Sequence, residues 1–294
     1  MKNFLLIGAA GYIAPRHMKA IKETGNNLLA SFDPYDGVGI IDSYFPKSKF
    51  FIEFERFDRY VEKCIRNKIK IDFLVVTSPN YLHDSHIRYG LRLGLNVICE
   101  KPIVLNPWNL DGLKELEDDS IGKVSSILQL RLHPNIIELK NKVSKNPSKT
   151  DYKINLKYIS SRGDWYFISW KGDLKKSGGL CTNIGIHFFD VLTWIFGPKE
   201  EMEVEKISDK TFKGKLKLKR ANVEWFLSVD DKFLNEGTRT LRTLSIDDQE
   251  IDFSHGFEDL HTKSYEEILN GNGFGISETE ESIKIISEIR GYDK

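Results

Sequence analysis

The chain has 294 residues, with 40% hydrophobic and 29% charged residues, and its 43 Lys plus Arg are balanced by 43 Asp plus Glu. That balance excludes the broad basic field of a nucleic-acid binder or of a protein held on an anionic membrane, so an anionic ligand must be met by a local cluster of cations. Cys64, Cys99 and Cys181 are far apart and odd in number, which excludes a disulfide framework and a thiolate zinc site and suits the reducing cytoplasm. The opening MKNFLLIG is too short an apolar run for a signal peptide or a membrane span, so neither membrane nor nucleic acid is expected as a partner, and no metal.

In chain order, FLLIG (4–8), NLLASFD (27–33), IDFLVVTSP (71–79), LNVICEKP (95–102) and VSSILQL (124–130) read as buried strands. Amphipathic stretches such as IAPRHMKAIKETG and YLHDSHIRYGLRLG lie between them. Strands alternating with helices predict an α/β fold with a doubly wound parallel sheet, the Rossmann arrangement. HPNIIELKNKVSKNPSK predicts a helix that ends in a hinge near 146–150. After it, DYKINLKYISS (151–161), EVEKI, GKLKLKR, NVEWFLSVD and RTLRTLSI alternate polar and apolar residues, which predicts a large, mostly antiparallel sheet with one wet face. The lysines of GKLKLKR fall on every second position and belong to that wet face. Helices are predicted over about 183–196, SYEEILNG and SETEESIKIISEIRG. The domain reading is 1–130 for dinucleotide binding and 131–294 for an α+β substrate and oligomerisation domain, whose C-terminal helix is free to pack back on the first.

GAAGYIAPRH (8–17) sits where the first strand turns into a helix. A dinucleotide phosphate needs small residues there, because side chains would keep it from the backbone amides and the helix N-terminus. Gly8 and Gly11 meet that need, although Ala9 and Ala10 replace the middle glycine of the usual fingerprint; a bare strand-to-helix turn is the alternative. Asp33 closes the second strand, where a carboxylate accepts the ribose hydroxyls and repels a 2′-phosphate. Pro34, Tyr35 and Asp36 add no arginine, so the expected cofactor is NAD; a turn residue before Pro34 is the plainer reading of Asp33.

Ser78 and Asn80 lie at the carboxyl end of the fourth predicted strand, and Glu100 and Lys101 at that of the fifth, the edge where ligands lie in an open parallel sheet. In the second half, Asn183, His187 and Asp190 interrupt an apolar helix behind Gly178-Gly179, with 183 and 187 one turn apart. A histidine takes a proton from a hydroxyl near neutral pH, and so does a lysine whose pKa is lowered by burial, so His187 and Lys101 are both candidate bases.

IGAAGYIA, Asp33, TSPNYLH, EKP and WKGD…SGG…NIGIHFFD, in this order, resemble the glucose-fructose oxidoreductase/inositol dehydrogenase/MocA family over nearly the whole chain. AAGYIAPRHMKAI, SPNYLH, ICEKP, LQLRLHP, SRGDWY, SWKGD and SYEEIL further resemble its bacterial UDP-N-acetylglucosaminuronate 3-dehydrogenases, which serve O-antigen or capsule synthesis. The resemblance implies oxidation of a sugar C3 hydroxyl with hydride passing to NAD. It implies that Gly8, Gly11, Tyr12 and Ile13 hold the pyrophosphate and Asp33 the ribose. Ser78, Asn80, His83, Glu100, Lys101, Gln129, Trp170 and Lys171 would line the rest of the NAD site. Lys101 and His187 would flank the C3 hydroxyl; Asn183 stands where many relatives have Asp, which leaves the choice of base between them open. A UDP-linked amino-uronic acid needs cations, for which Arg131, Arg162 and Lys175 or Lys176 are candidates, with Trp165 and Tyr166 placed to stack. Some of these relatives reoxidise NADH with 2-oxoglutarate. Two other readings are a dehydrogenase of a free polyol or hexose and a non-catalytic NAD-binding sensor. The open face of the second sheet implies a homo-oligomer, dimer or tetramer.

Overall fold

The computed structural model describes residues 1–253 and 255–291. In its first part β1 (Asn3–Ile7), β2 (Asn27–Phe32), β3 (Lys49–Phe51), β4 (Phe73–Val76), β5 (Asn96–Cys99) and β6 (Val124–Ser126) form one sheet in the order β3-β2-β1-β4-β5-β6, every neighbouring pair parallel. They are joined by α1 (Ala14–Glu23), α2 (Ile40–Tyr44), α3 (Phe54–Arg66), α4 (His83–Arg92) and α5 (Trp108–Asp118). β4 is buried at every position and β1 at all but its first, as expected of strands covered on both faces, which is why they stand out as unbroken apolar runs. Helix α1 has Pro15 in its first turn, where a missing N–H costs nothing, and it buries Ala14, His17, Met18, Ala20 and Ile21.

The second part runs α6 (Pro134–Ser144), β7 (Tyr152–Ser160), α7 (Trp165–Ile168), α8 (Leu174–Ser177), a wide π turn at Cys181–Gly185, α9 (Ile186–Phe196), β8 (Lys199–Ser208), β9 (Thr211–Leu218), β10 (Ala221–Ser228), β11 (Thr240–Ile246) and β12 (Gln249–Glu250). Its sheet has the order β12-β11-β7-β10-β9-β8, antiparallel apart from the parallel central pair β7 and β10. Along much of β7, β9 and β10 alternate positions face a core with Phe188, Phe189 and Ile286, and the positions between them are exposed or half-buried. On the exposed side Lys213, Lys215 and Lys217 lie opposite Glu205, Glu203 and Glu201, so the lysine run is one row of a charged ladder. The chain closes with α10 (Leu260–Leu269) and α11 (Glu280–Gly291).

Two compact units result. Unit 1 comprises Met1–Val104, Trp108–Ile127 and Asp259–Glu278; unit 2 comprises Leu105–Pro107, Leu128–Glu258 and the chain from Thr279 onward. α10 therefore belongs with the parallel sheet, where Tyr265 is buried in one cluster with Phe4, Met18 and Phe73. The stretch Leu174–Phe196 is apolar and long enough to cross a membrane, yet it is 72% buried inside the fold, as a core helix is.

Candidate functional site

In unit 1 the loop after β1 is held by its neighbours. Gly8 has φ +95°, and a Cβ on it would lie 2.5 Å from the Ser78 nitrogen, so glycine is required because the loop runs against the backbone at the end of β4. Thr77 Oγ1 donates toward the carbonyls of Ile7 and Gly8, both at 3.0 Å. Asp33 fastens the loop from the other side: one carboxylate oxygen accepts the Ala10 amide and the other the Tyr35 amide, each at 2.9 Å. Ile13 is the N-cap of α1 and caps no amide with its side chain. The amides of Tyr12 and Ile13 make no hydrogen bond among the described residues. Two open N–H groups at the N-terminus of a ten-residue helix, with the carboxylate of Asp33 at the end of β2, suit a dinucleotide's pyrophosphate and ribose. The Tyr12 ring is 83% exposed and adds no packing to the loop.

At the end of β4, Ser78 and Asn80 are buried, and Ser78 Oγ lies 2.9 Å from His86 Nδ1. His83 bridges the ends of two strands, its ring nitrogens 2.6 Å from the Pro102 carbonyl and 2.7 Å from the Ser78 carbonyl. Burial pushes its pKa down and the bonds to the two carbonyls push it up; the ring ties the two loops together. Burial also lowers the pKa of His86, to about 4.

Glu100, at the end of β5, lies in a cluster that sequence reading did not assemble. Its Oε1 accepts from His17 Nε2 at 3.0 Å and from His261 Nε2 at 3.2 Å, while His17 Nδ1 lies 2.8 Å from the Tyr265 hydroxyl. Burial pushes the Glu100 carboxyl up, but the bonds from the two imidazoles outweigh it and hold it well below the usual carboxylate range. Burial holds His17 on the neutral side. One ligand-type atom from each of His17, Glu100 and His261 lies within 4.8 Å of the others. The two imidazole–carboxylate contacts have hydrogen-bond length, and one imidazole proton accounts for each, so we describe a proton-bonded network. Glu100 Oε2 accepts the backbone amide of Lys101 at 3.3 Å. Lys101 itself is half-buried at the mouth of the β5 loop.

In unit 2 the residues expected near substrate form a second group. Asn183 Nδ2 donates to the Tyr166 hydroxyl at 2.8 Å and toward the Lys171 carbonyl at 3.4 Å. The Lys171 ammonium lies 5.8 Å from the Trp165 ring centre and 5.7 Å from that of Trp170. Its pKa is lowered by burial and then by the positive charge of Arg162. Two cations pressed together in this way favour an anion between them. Burial raises the Tyr166 pKa to about 12, so its hydroxyl keeps its proton at neutral pH. From Leu180 to Leu192 only Asn183 and His187 are not buried, so this helical segment opens one narrow face. The helix expected from 183 begins instead with the π turn, where Gly185 packs so closely that a Cβ would lie 2.6 Å from Leu227 Cδ1. Lys175 and Lys176 are exposed beside Asp173, which caps α8 and lies 3.7 Å from the Lys176 ammonium. Gln129 Oε1 is buried with no hydrogen-bond partner among the described residues, an acceptor that a ligand N–H or O–H would satisfy.

Arg131 corrects an expectation. It is 3% exposed, and both arms of its guanidinium bind Asp190, at 2.7 and 2.9 Å. Its charge is met inside unit 2, leaving Arg162 and Lys171 as the grouped cations. His17, His261 and Tyr265 are the residues sequence reading missed. His17 and Tyr265 left one trace, in that APRHMKAI and SYEEIL stood among the resembling motifs; His261 lies just outside the second.

Comparison with known proteins follows this geometry. Residues 2–126 match the GFO/IDH/MocA profile described as the oxidoreductase family's NAD-binding Rossmann fold, and residues 150–234 match its C-terminal alpha/beta domain. The WlbA (WbpB) dehydrogenase of Thermus thermophilus, crystallised with NAD and alpha-ketoglutarate, is 46% identical with a TM-score of 0.95, covering 99% of this chain and 95% of its own. The chain belongs to the GFO/IDH/MocA oxidoreductase family. A second crystal structure of that Thermus family member, with NAD and UDP-GlcNAcA, gives a TM-score of 0.94 at the same identity and coverage. A curated family relative, glucose-6-phosphate 3-dehydrogenase of Bacillus subtilis (strain 168), is 25% identical over 206 residues, 67% of this chain and 54% of its own length. The chain thus spans about half the length of the curated relatives it matches. Unit 1 contains the family's NAD-binding Rossmann domain.

Proposed function

We propose that this protein oxidises the C3 hydroxyl of UDP-2-acetamido-2-deoxy-D-glucuronate (UDP-GlcNAcA) to the 3-keto sugar with NAD, in the synthesis of a surface-polysaccharide precursor. The observation that carries this reading is the near full-length likeness to the Thermus dehydrogenase crystallised with NAD and that sugar. Bound NAD supplies the hydride acceptor. The chain's own residues do the rest: Tyr12 and Ile13 offer amides to the pyrophosphate, Asp33 accepts from the adenosine ribose, and Gln129 offers an unmet acceptor. Lys101 and His187 are the groups we assign to the C3 hydroxyl, one taking its proton as hydride leaves the carbon and the other steadying the oxygen. Neutral Asn183, tied to the Tyr166 hydroxyl, orients the helix face that carries His187. The sugar nucleotide has about three negative charges at neutral pH, which the Arg162 and Lys171 pair would meet, with Trp165 and Trp170 beside it.

A free polyol would have no use for that cation pair, and a sensor none for two proton acceptors; both features favour the nucleotide-sugar reading. Three buried cysteines outside any disulfide suit the cytoplasm. The exposed strand positions of the unit 2 sheet support a homo-oligomer, and 2-oxoglutarate is the reoxidant we propose on the same likeness. The test is native mass spectrometry of the purified protein with UDP-GlcNAcA, read together with the absorbance of reduced nicotinamide. Turnover should appear with this sugar, Lys101→Met should cut kcat by about a hundredfold or more, and Arg162→Ala should raise the sugar KM roughly tenfold. An Arg162→Ala enzyme with unaltered KM, or turnover of free hexoses alone, refutes the substrate.

A further inference from the structure

We propose that Tyr265, His17 and His261 form with Glu100 a positioning network for Lys101, in which a caged anion holds the lysine's backbone and sets the proton affinity of its amine. The proposal rests on the reaction assigned above, in which Lys101 acts on the substrate hydroxyl. Three segments far apart in sequence meet at one carboxylate: α1 brings His17, the end of β5 brings Glu100 and Lys101, and α10 brings His261 and Tyr265. His17 lies in the stretch APRHMKAI, Glu100 and Lys101 in ICEKP, and Tyr265 in SYEEIL with His261 three residues before it; of these only ICEKP carries reaction chemistry.

The proton count follows from the partners. A Tyr265 O–H donated to His17 Nδ1 leaves the His17 proton on Nε2, where it is donated to Glu100 Oε1. His261 donates its Nε2 proton to the same oxygen. His17 is then neutral, and Glu100 is the anion of the cluster, its other oxygen accepting the Lys101 amide. His17 and Tyr265 are fully buried, and His261 and Glu100 are 6% and 7% exposed, so little water screens that charge. The other ionisable groups that sense this cluster are Arg16 beside His17, His83 across the β4 loop, and Cys99 within β5. Of these, Arg16 is exposed and burial keeps the Cys99 thiol protonated, and Lys101 is the cation nearest in sequence to the buried charge.

The experiment is competitive labelling with trace acetic anhydride across a pH series, read at Lys101 by peptide mass spectrometry in the NAD-loaded protein and in Glu100→Gln, with exposed Lys63 and Lys142 as references. Removing the buried negative charge should lower the Lys101 labelling midpoint by roughly one pH unit and leave the reference lysines where they are. In the sugar assay the same variant should lose about tenfold to a hundredfold in kcat, with KM for NAD within about twofold. A folded Glu100→Gln protein with an unshifted Lys101 midpoint overturns the proposal, whether or not any sugar is oxidised. Failure of the unsubstituted protein to oxidise the sugar would instead touch only the assigned reaction. Should Glu100→Gln not fold, nitrogen NMR of the unsubstituted, histidine-labelled protein decides: His17 must stay neutral with its proton on Nε2 at pH 7, and a proton on Nδ1 or a charged ring overturns the network.

Discussion

Glu100 in unit 1 and Asp190 in unit 2 are both deeply buried carboxylates, and the two units hold them by opposite means. Glu100 is gripped by two imidazoles, His17 in turn bonded to a tyrosine, and is kept ionised well below the ordinary range against the upward push of burial. Asp190 faces the guanidinium fork of Arg131, yet burial still leaves its pKa above the ordinary value. A cation and an anion sealed together cancel, and their attraction is set against the desolvation of both. Neutral donors stabilise an anion without cancelling it. The first arrangement fastens a core, and the second leaves charge where a neighbouring group can feel it.

The comparison breaks most readily at Asp190. Asp190→Ala strands the Arg131 charge and should cost about 3–5 kcal/mol, whereas Arg131→Met with Asp190→Leu should return close to the parent stability. Denaturant melts of the three proteins decide it, and a double variant as weak as Asp190→Ala would show that the pair is not the cause.

A second prediction concerns the histidines of unit 1. The folded pKa values of His17, His83 and His86 are lowered, chiefly by burial, so below the unfolded value the unfolded chain binds more protons than the folded one. Stability is therefore whole above about pH 6.5 and falls on acidification, by at most about 1.4 kcal/mol per pH unit for each histidine. For His86 the window runs from the ordinary value down to about 4. Thermal melts at stepped pH should show the fall, and His86→Phe, beside Phe54, should flatten it by about one proton.

The smallest effect belongs to the wet face of unit 2. Lys215 lies between Glu203 and Glu224 in neighbouring strands, and Lys215→Glu would line up three acids there. Exposed pairs of this kind are worth little, so the loss should stay below about 1 kcal/mol and shrink in added salt.

What the sequence made legible follows the same physics. β1, β4 and β5 are largely apolar runs because parallel strands are covered on both faces, whereas β3, Lys49–Phe51, is too short to show any period. Alternation revealed the strands of unit 2 but not that β7 and β10 run parallel, since period two is the same in either direction. Gly8 was visible as part of a phosphate loop, while its close partner, the backbone at Thr77–Ser78, appears only once β1 and β4 are side by side. Arg131 looked like a substrate cation because its partner lies 59 residues along the chain. His17 and Tyr265 are 248 residues apart, and no local pattern ties a histidine on one helix to a tyrosine on another at that distance.

The return of Asp259–Glu278 to unit 1 has a consequence for biogenesis. Because residues 128–258 are threaded into the middle of the dinucleotide domain, the parallel sheet emerges from the ribosome long before the helix bearing His261 and Tyr265. Glu100 must wait, with two of its companions untranslated, until the intervening domain has been made. An N-terminal piece ending near residue 130 would leave a carboxylate half caged and Phe4 and Phe73 stripped of the Tyr265 ring, the kind of exposed intermediate that chaperones engage.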